Sequence, residues 1–135
     1  MTVIQWDDSY SVKNTTIDEQ HKKLFMLINE FNKNVELNSS NGSISKLLEG
    51  LKEYIVFHFK TEEMYLRLYN YPHFESHKQE HERFIKKVAD LEERYNEGNI
   101  PQLSEITAFF NAWINFHIKE SDMEYADFLA KKSED

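Results

Sequence analysis

Apolar side chains recur at alternating intervals of three and four in four separate stretches of this chain, and in each stretch the series meets histidine or a carboxylate. The first reads Ile17, His21, Leu24, Ile28, Phe31 and Val35, and the second Leu48, Leu51, Ile55, His58, Glu62, Tyr65 and Tyr69. The third reads His77, His81, Phe84, Val88, Leu91 and Tyr95, and the fourth Ile106, Phe110, Trp113 and His117. A helix turns about 100° per residue, so each series lies along one helical face. Such faces have to be buried, and four helices with no strand pattern between them bury them against one another.

Local punctuation places the helix ends. Thr16 followed by Glu19 predicts a capping box at the start of the first helix. Residues 38–42, Asn-Ser-Ser-Asn-Gly, predict the loop that ends it. The second helix is expected to start after Ser43 or Ser45 and to run to Asn70, and the third to begin past Tyr71-Pro72 and stop at Gly98. The fourth follows Pro101. Residues 1–15 have no helical period but carry Trp6, Tyr10 and Val12, the pattern of an extended arm lying on the helices. With 135 residues, ten Phe, seven Tyr and two Trp, the chain can build one core. The expectation is an all-α, antiparallel up-down-up-down four-helix bundle with an extended N-terminal arm, its neighbouring helices packed at about 20°. It would form a single domain over residues 1–135, with the arm at 1–15 and the bundle at 16–130.

In that topology the start of one helix lies level with the end of the next. His21 is early in the first helix, His58 and Glu62 late in the second, His77 and His81 early in the third, and His117 and Asp122 late in the fourth. All seven are therefore expected at one end of the bundle. Phe31, Val35, Leu47, Leu48, Leu51, Val88, Leu91, Ile106 and Phe109 or Phe110 are left to form an ordinary core at the other. His58 and Glu62 are four apart, as are His77 and His81, so each pair can reach one ion. His117 and Asp122 are five apart, a rotation of about 140° in an α-helix. The fourth helix is therefore expected to end or loosen near Ser121.

Burying five imidazoles and two carboxylates without a partner costs several kcal/mol for each unpaired charge, roughly, and a metal centre removes that cost. Singly, His21 reads as a hydrogen-bonded core histidine and His58 with Glu62 as a surface pair; the combination favours a pair of metal ions. The chain has no cysteine, so any metal must be held by imidazole and carboxylate. Met26, Met64 and Met123 are packing residues rather than haem ligands, since no Cys-x2-Cys-His attachment motif accompanies them. His73, beside Pro72, is expected at a loop or helix start, and Asp7-Asp8, Glu63 and Glu92-Glu93 on solvated faces. A net charge of −8 argues against nucleic acid or an anionic membrane as partner. The N-terminal segment lacks a basic leader and no run approaches about 20 apolar residues, so a cytoplasmic location is expected. No strong exposed apolar stripe is evident, which predicts a monomer; no protein partner is indicated.

The order His, His-x3-Glu, His-x3-His, His-x4-Asp, with Trp6 and the segment Ile17-Asp18-Glu19-Gln20-His21, resembles the hemerythrin family over nearly the whole chain. The segments His77-Lys78-Gln79-Glu80-His81 and Trp113-Ile114-Asn115-Phe116-His117-Ile118 resemble its bacterial, single-domain members. The resemblance implies two iron ions with an oxo or hydroxo bridge. His77, His81 and His117 would ligate one iron, His21 and His58 the other, and Glu62 and Asp122 would bridge both. It further implies dioxygen bound reversibly at the two-histidine iron, with Ile114 and Trp113 beside the oxygen pocket, and no catalytic residues. Storage, delivery or scavenging of dioxygen is the leading expectation, ahead of an oxygen or redox sensing module. A di-iron protein acting on peroxide or nitric oxide, or repairing iron centres, is a third class.

Overall fold

The computed structural model describes residues 5–36 and 40–134. Four long helices follow a short arm: α1 (Thr15–Glu36), α2 (residues 40–68), α3 (Phe74–Asn96) and α4 (residues 103–134). Two of them change their winding midway. In α2 the α-helical Ser40–Tyr54 passes through a π-helical Ile55–Phe59 into α-helical Lys60–Leu68. In α4 the α-helical Leu103–Ala112 passes through a π-helical Trp113–Ser121 into Asp122–Glu134. There is no strand among the described residues, and the fold is the expected four-helix bundle.

Side-chain chemistry sets the boundaries, in places differently from the sequence reading. The α1 cap is Asn14, whose Oδ1 accepts from the Ile17 N–H at 3.1 Å, so Thr16 lies inside the first turn and forms no capping box. Asp18 in that turn reaches back to the arm, accepting from the Val12 N–H at 2.9 Å and the Ser11 hydroxyl at 2.6 Å. Helix α2 begins at Ser40, four residues before Ile44, the earliest start expected; Asn38 and Ser39 of the expected loop lie outside the described residues. It ends where Asn70 takes a left-handed φ of 54° and the Tyr71 N–H bonds to the Leu66 carbonyl at 2.9 Å. Gly98, at φ 84°, ends α3 in the same manner. His73 is the residue that precedes α3, as expected.

The main core joins Leu24, Ile28 and Phe31 of α1 to Leu47, Leu48 and Leu51 of α2, Phe84, Val88 and Leu91 of α3, and Ile106 and Phe110 of α4. Phe109 is only partly buried, and the Val35 side chain lies outside the described residues. The arm closes one flank: Trp6 packs on Phe25 at 5.7 Å between ring centroids and on Tyr10 at 5.6 Å, with the Lys22 ammonium over its ring. A second apolar cluster of Val12, Ile17, Leu66, Tyr71, Tyr125 and Ala126 lies beyond the histidines, one turn further along each helix. The polar site is thus enclosed between two apolar layers, where the sequence suggested a simple division between one core and one polar end. On α2, Tyr69, expected on the stripe, is 42% exposed, and Leu66, which the stripe did not include, is fully buried. Phe57, Met64 and Leu68 of the same helix are each more than half exposed, an apolar surface that the sequence reading did not anticipate.

Candidate metal centre

All seven predicted donors meet in the layer between the two apolar clusters, and none is more than 3% exposed. They form two overlapping groups, His77, His81, His117 with Glu62, and His21, His58, Asp122 with Glu62; ligating atoms within each lie within 4.8 Å of one another. Each histidine turns Nε2 inward. The two carboxylates divide their oxygens between the groups. Glu62 Oε1 lies 2.5 Å from His77 Nε2 and 2.8 Å from His81 Nε2, while Oε2 lies 3.1 Å from His58 Nε2. Asp122 Oδ1 lies 3.1 Å from His117 Nε2 and 3.2 Å from His77 Nε2, while Oδ2 lies 3.1 Å from His21 Nε2.

The winding of α4 explains how Asp122 reaches the site. Its backbone N–H bonds to the His117 carbonyl, the i→i+5 bond of a π-helix, and this returns a residue five positions on to nearly the same face. The helix does not end near Ser121; it loosens there, as the five-residue interval suggested, by widening into the π-helical turn. His58 likewise sits in the π-helical segment of α2, with Glu62 one turn on.

Three outward ring nitrogens are held by residues that the sequence reading did not select. His58 Nδ1 is 2.8 Å from Gln20 Oε1, His81 Nδ1 is 2.8 Å from Glu63 Oε2, and His117 Nδ1 is 2.9 Å from Glu80 Oε1, which also accepts from the Ser121 hydroxyl at 2.8 Å. With these acceptors outside, each Nδ1–H can donate outward, which leaves each Nε2 free to offer its lone pair to an ion. Glu63 is therefore not a solvated charge but an outer support of the site. The Tyr125 hydroxyl, fully buried, donates to Glu62 Oε2 at 2.8 Å. Aromatic faces line the histidines: Phe59 stacks on His81 at 3.9 Å, Trp113 on His117 at 3.8 Å and Tyr54 on His58 at 4.7 Å. Of the two predicted pocket residues, Trp113 thus borders the donors, and Ile114 is buried in the main core next to them.

Charge is concentrated here. Burial opposes ionisation of Glu62, but His58 and His77 hold its carboxyl well below the usual range; Asp122 is held below it too, against burial and the Glu62 charge, by His117 and His21. Burial lowers the basicity of His77, yet Glu62 and Asp122 outweigh it and raise its pKa to about 9; His117 is raised for the same reason, chiefly by Asp122. Burial wins at His58, which falls to about 4.

The donor set fits a pair of cations on one further count. His21 Nε2, His58 Nε2, His117 Nε2 and both oxygens of Asp122 are buried and have no hydrogen-bond partner among the described residues, although they approach one another to about 3 Å. Atoms sharing an ion at about 2.1 Å and at right angles are separated by about 3 Å, so the spacing is that of neighbours in a coordination sphere. Two carboxylates that each face both groups are suited to span two ions, and imidazole with carboxylate suits iron among other transition metals.

Residues 12–129 match the family model for the hemerythrin HHE cation binding domain. The chain is 38% identical over 128 residues to the bacteriohemerythrin of Clostridium acetobutylicum, covering 90% of this chain and 98% of that protein. It is 37% identical over 124 residues to a hemerythrin-like protein of Naegleria gruberi, covering 92% of each. A crystal structure of wild-type hemerythrin superposes with a TM-score of 0.82 at 28% identity, covering 93% of this chain and 97% of that one.

Proposed function

The chain belongs to the hemerythrin family, and from that premise we propose that it is a non-haem di-iron protein that binds dioxygen reversibly, for storage, delivery or scavenging. The observation that carries this reading is the division of the carboxylate oxygens, one from each of Glu62 and Asp122 facing either histidine group. His77, His81 and His117 would hold one iron, His21 and His58 the other, and Glu62 and Asp122 would span both. A di-iron centre with an oxo or hydroxo bridge, held by these residues, would supply the reversible electron exchange that dioxygen binding needs. The side chains of the protein govern access and charge.

Unequal histidine numbers leave the His21–His58 side with one donor fewer, so an exogenous ligand belongs there. Phe59, Trp113 and Tyr54, stacked on three of the histidines, give the site apolar walls. Gln20, Glu63 and Glu80 hold three imidazoles in one tautomer and orientation. A nitrogen-rich donor set favours binding over turnover. Carboxylate-rich di-iron bundles use Glu-x2-His pairs instead.

The test is a visible absorption spectrum of protein loaded anaerobically with ferrous iron, recorded before air, after air and after degassing, with iron per chain measured alongside. Two irons per chain and a colour that appears with oxygen and fades on degassing are expected. Irreversible oxidation would move the function to sensing or redox chemistry, and failure to bind iron would refute the di-iron reading.

A further inference from the structure

The outer partners of the histidines differ in charge between the two groups. On one side His81 Nδ1 meets the carboxylate of Glu63 at 2.8 Å, and His117 Nδ1 meets that of Glu80 at 2.9 Å. On the other side His58 Nδ1 meets the side-chain amide of Gln20 at 2.8 Å, and His21 Nδ1 is buried with no hydrogen-bond partner among the described residues. Glu62 and Asp122 face both groups and do not tell them apart. The outer hydrogen bonds thus bring two anionic acceptors to the three-histidine group and none to the two-histidine group. Lys23, Glu30 and Glu53 line a cleft of about 570 Å³ that Gln20 also borders, but none of them is an imidazole partner among the described residues.

The amide is held in the one orientation that serves His58. The Thr61 hydroxyl gives its only proton to the Phe57 carbonyl at 2.6 Å, so its oxygen is left to accept, and Gln20 Nε2 donates to it at 3.3 Å. Gln20 Oε1 is then turned to His58. A glutamate has the same length and could accept from the ring there, as Glu63 and Glu80 do on their side. What separates amide from carboxylate at this position is charge. An imidazole that donates to a carboxylate is the stronger base at its inner nitrogen. A nearby negative charge also favours the more highly charged ion. Both effects are present at His81 and His117, and both are withheld from His58.

We propose that Gln20 is a positioning residue whose neutral amide, oriented by Thr61, makes the His21–His58 side the weaker metal-binding half of the centre and protects bound dioxygen from irreversible reduction there. The second part rests on the di-iron reading of the site. The His77–His81–His117 side takes the first metal ion and the His21–His58 side the second. Dioxygen can also be lost as hydrogen peroxide, which carries away two electrons and two protons from water and leaves both irons oxidised. A carboxylate behind His58 would favour that oxidised state, and the amide does not.

The experiment titrates zinc(II) into metal-free wild type, Gln20→Glu and Glu63→Gln, all as the full chain, against a chelator of known affinity, and times air oxidation of the iron-loaded proteins. One charge on an acceptor that water can reach is worth about threefold in affinity. Wild type should bind two zinc ions, the first at least about tenfold tighter, since two such charges multiply and a third histidine adds to them. Gln20→Glu should tighten the second ion about threefold and leave the first unchanged. Glu63→Gln should weaken the first ion about threefold, a reciprocal test that does not depend on how position 20 tolerates glutamate. The His58 ring N–H resonance of the zinc protein should move to lower field in Gln20→Glu, and air oxidation of its iron form should be about threefold faster. Two zinc ions of equal affinity in wild type, or equal tightening of both ions in Gln20→Glu, would overturn the proposal. An unchanged second affinity and oxidation rate in Gln20→Glu would overturn it as well. Wild-type protein that binds two zinc ions in the expected order but takes up no iron would refute the di-iron reading and bear out the uneven pair of metal sites.

Discussion

Removing the carboxylate of Glu80 tests the outer support of the site at its most loaded point. Glu80 accepts from the His117 ring at 2.9 Å and from the Ser121 hydroxyl at 2.8 Å, and its side chain is 23% exposed. A hydrogen bond to a charged group contributes about 1.5–3 kcal/mol when its partner is buried. The upper part of that range does not apply, because Glu80 and His117 border a cleft of about 210 Å³ with Arg83 and Phe116, from which water can reach the freed Nδ1–H. A loss near 1.4 kcal/mol, or about tenfold in iron affinity, is therefore expected for Glu80→Ala, the low end of the usual 10- to 100-fold for such outer partners.

Charge and acceptor can be separated. Glu80→Gln keeps an oxygen for the His117 N–H and loses the negative charge, so about threefold is expected, between wild type and alanine. The assay is competition with a chelator of known affinity, with circular dichroism confirming equal helix content in the metal-free proteins. Equal affinity in wild type and Glu80→Ala would refute the claim that Glu80 tunes His117. Equal loss in both variants would refute the part assigned to charge.

Glu105 ties α4 to α3 through Lys87 at 2.6 Å and Arg94 at 2.5 Å, and Arg94 first, then Lys87, lower its pKa to about 2. A depressed carboxylate stabilises fully above its unfolded value near 4.5 and loses that contribution as pH falls toward 2; Glu105→Gln should therefore cost about 1 kcal/mol at pH 7 and much less at pH 2.5, read from urea midpoints. Asn14→Ala should cost about 1 kcal/mol in the same assay and Thr16→Ala close to nothing, since the cap belongs to Asn14; the reverse order would restore the capping box. Tyr125→Phe removes a fully buried donor to Glu62 and should lower metal-free stability by about 2 kcal/mol, and an unchanged midpoint would mean that the hydroxyl does not hold that carboxylate.

Most of the bundle was legible because burial imposes a period that a single sequence displays. Leu24, Ile28, Leu48, Leu51, Phe84, Val88, Ile106 and Phe110 are core residues as their spacing predicts. The errors fall where another force chooses between similar local options. Asn14, Thr15 and Thr16 are all acceptable caps, and the tether from Asp18 to Val12 and Ser11 fixes the chain entry so that Asn14 is used. Tyr65 and Tyr69 continue a uniform α-helical stripe on paper. Leu66 lies one α-helical turn beyond Glu62 and goes inward, while the helix stops at Leu68 and leaves Tyr69, its C-cap, 42% exposed.

The outer supports show what a helix-by-helix reading misses. Gln20, Glu63 and Glu80 are each adjacent in sequence to an inner donor, His21, Glu62 and His81, and each holds a histidine of another helix: His58, His81 and His117 in turn. Side-chain periodicity assigns such neighbours to the rim of their own helix, about 100° from the buried face, and says nothing about the helix next door. Packed four helices round one point, however, and a residue 100° from the inward direction lies between helices, facing the back of the neighbouring ring. The π-helical segment of α4 follows from the same crowding. If His117 and Asp122 both point inward, five residues must complete about one turn, which an α-helix cannot do and an i→i+5 turn can. The His-x4-Asp interval thus carried the widened turn in the sequence itself, and its fivefold spacing becomes legible once both residues are required at one centre.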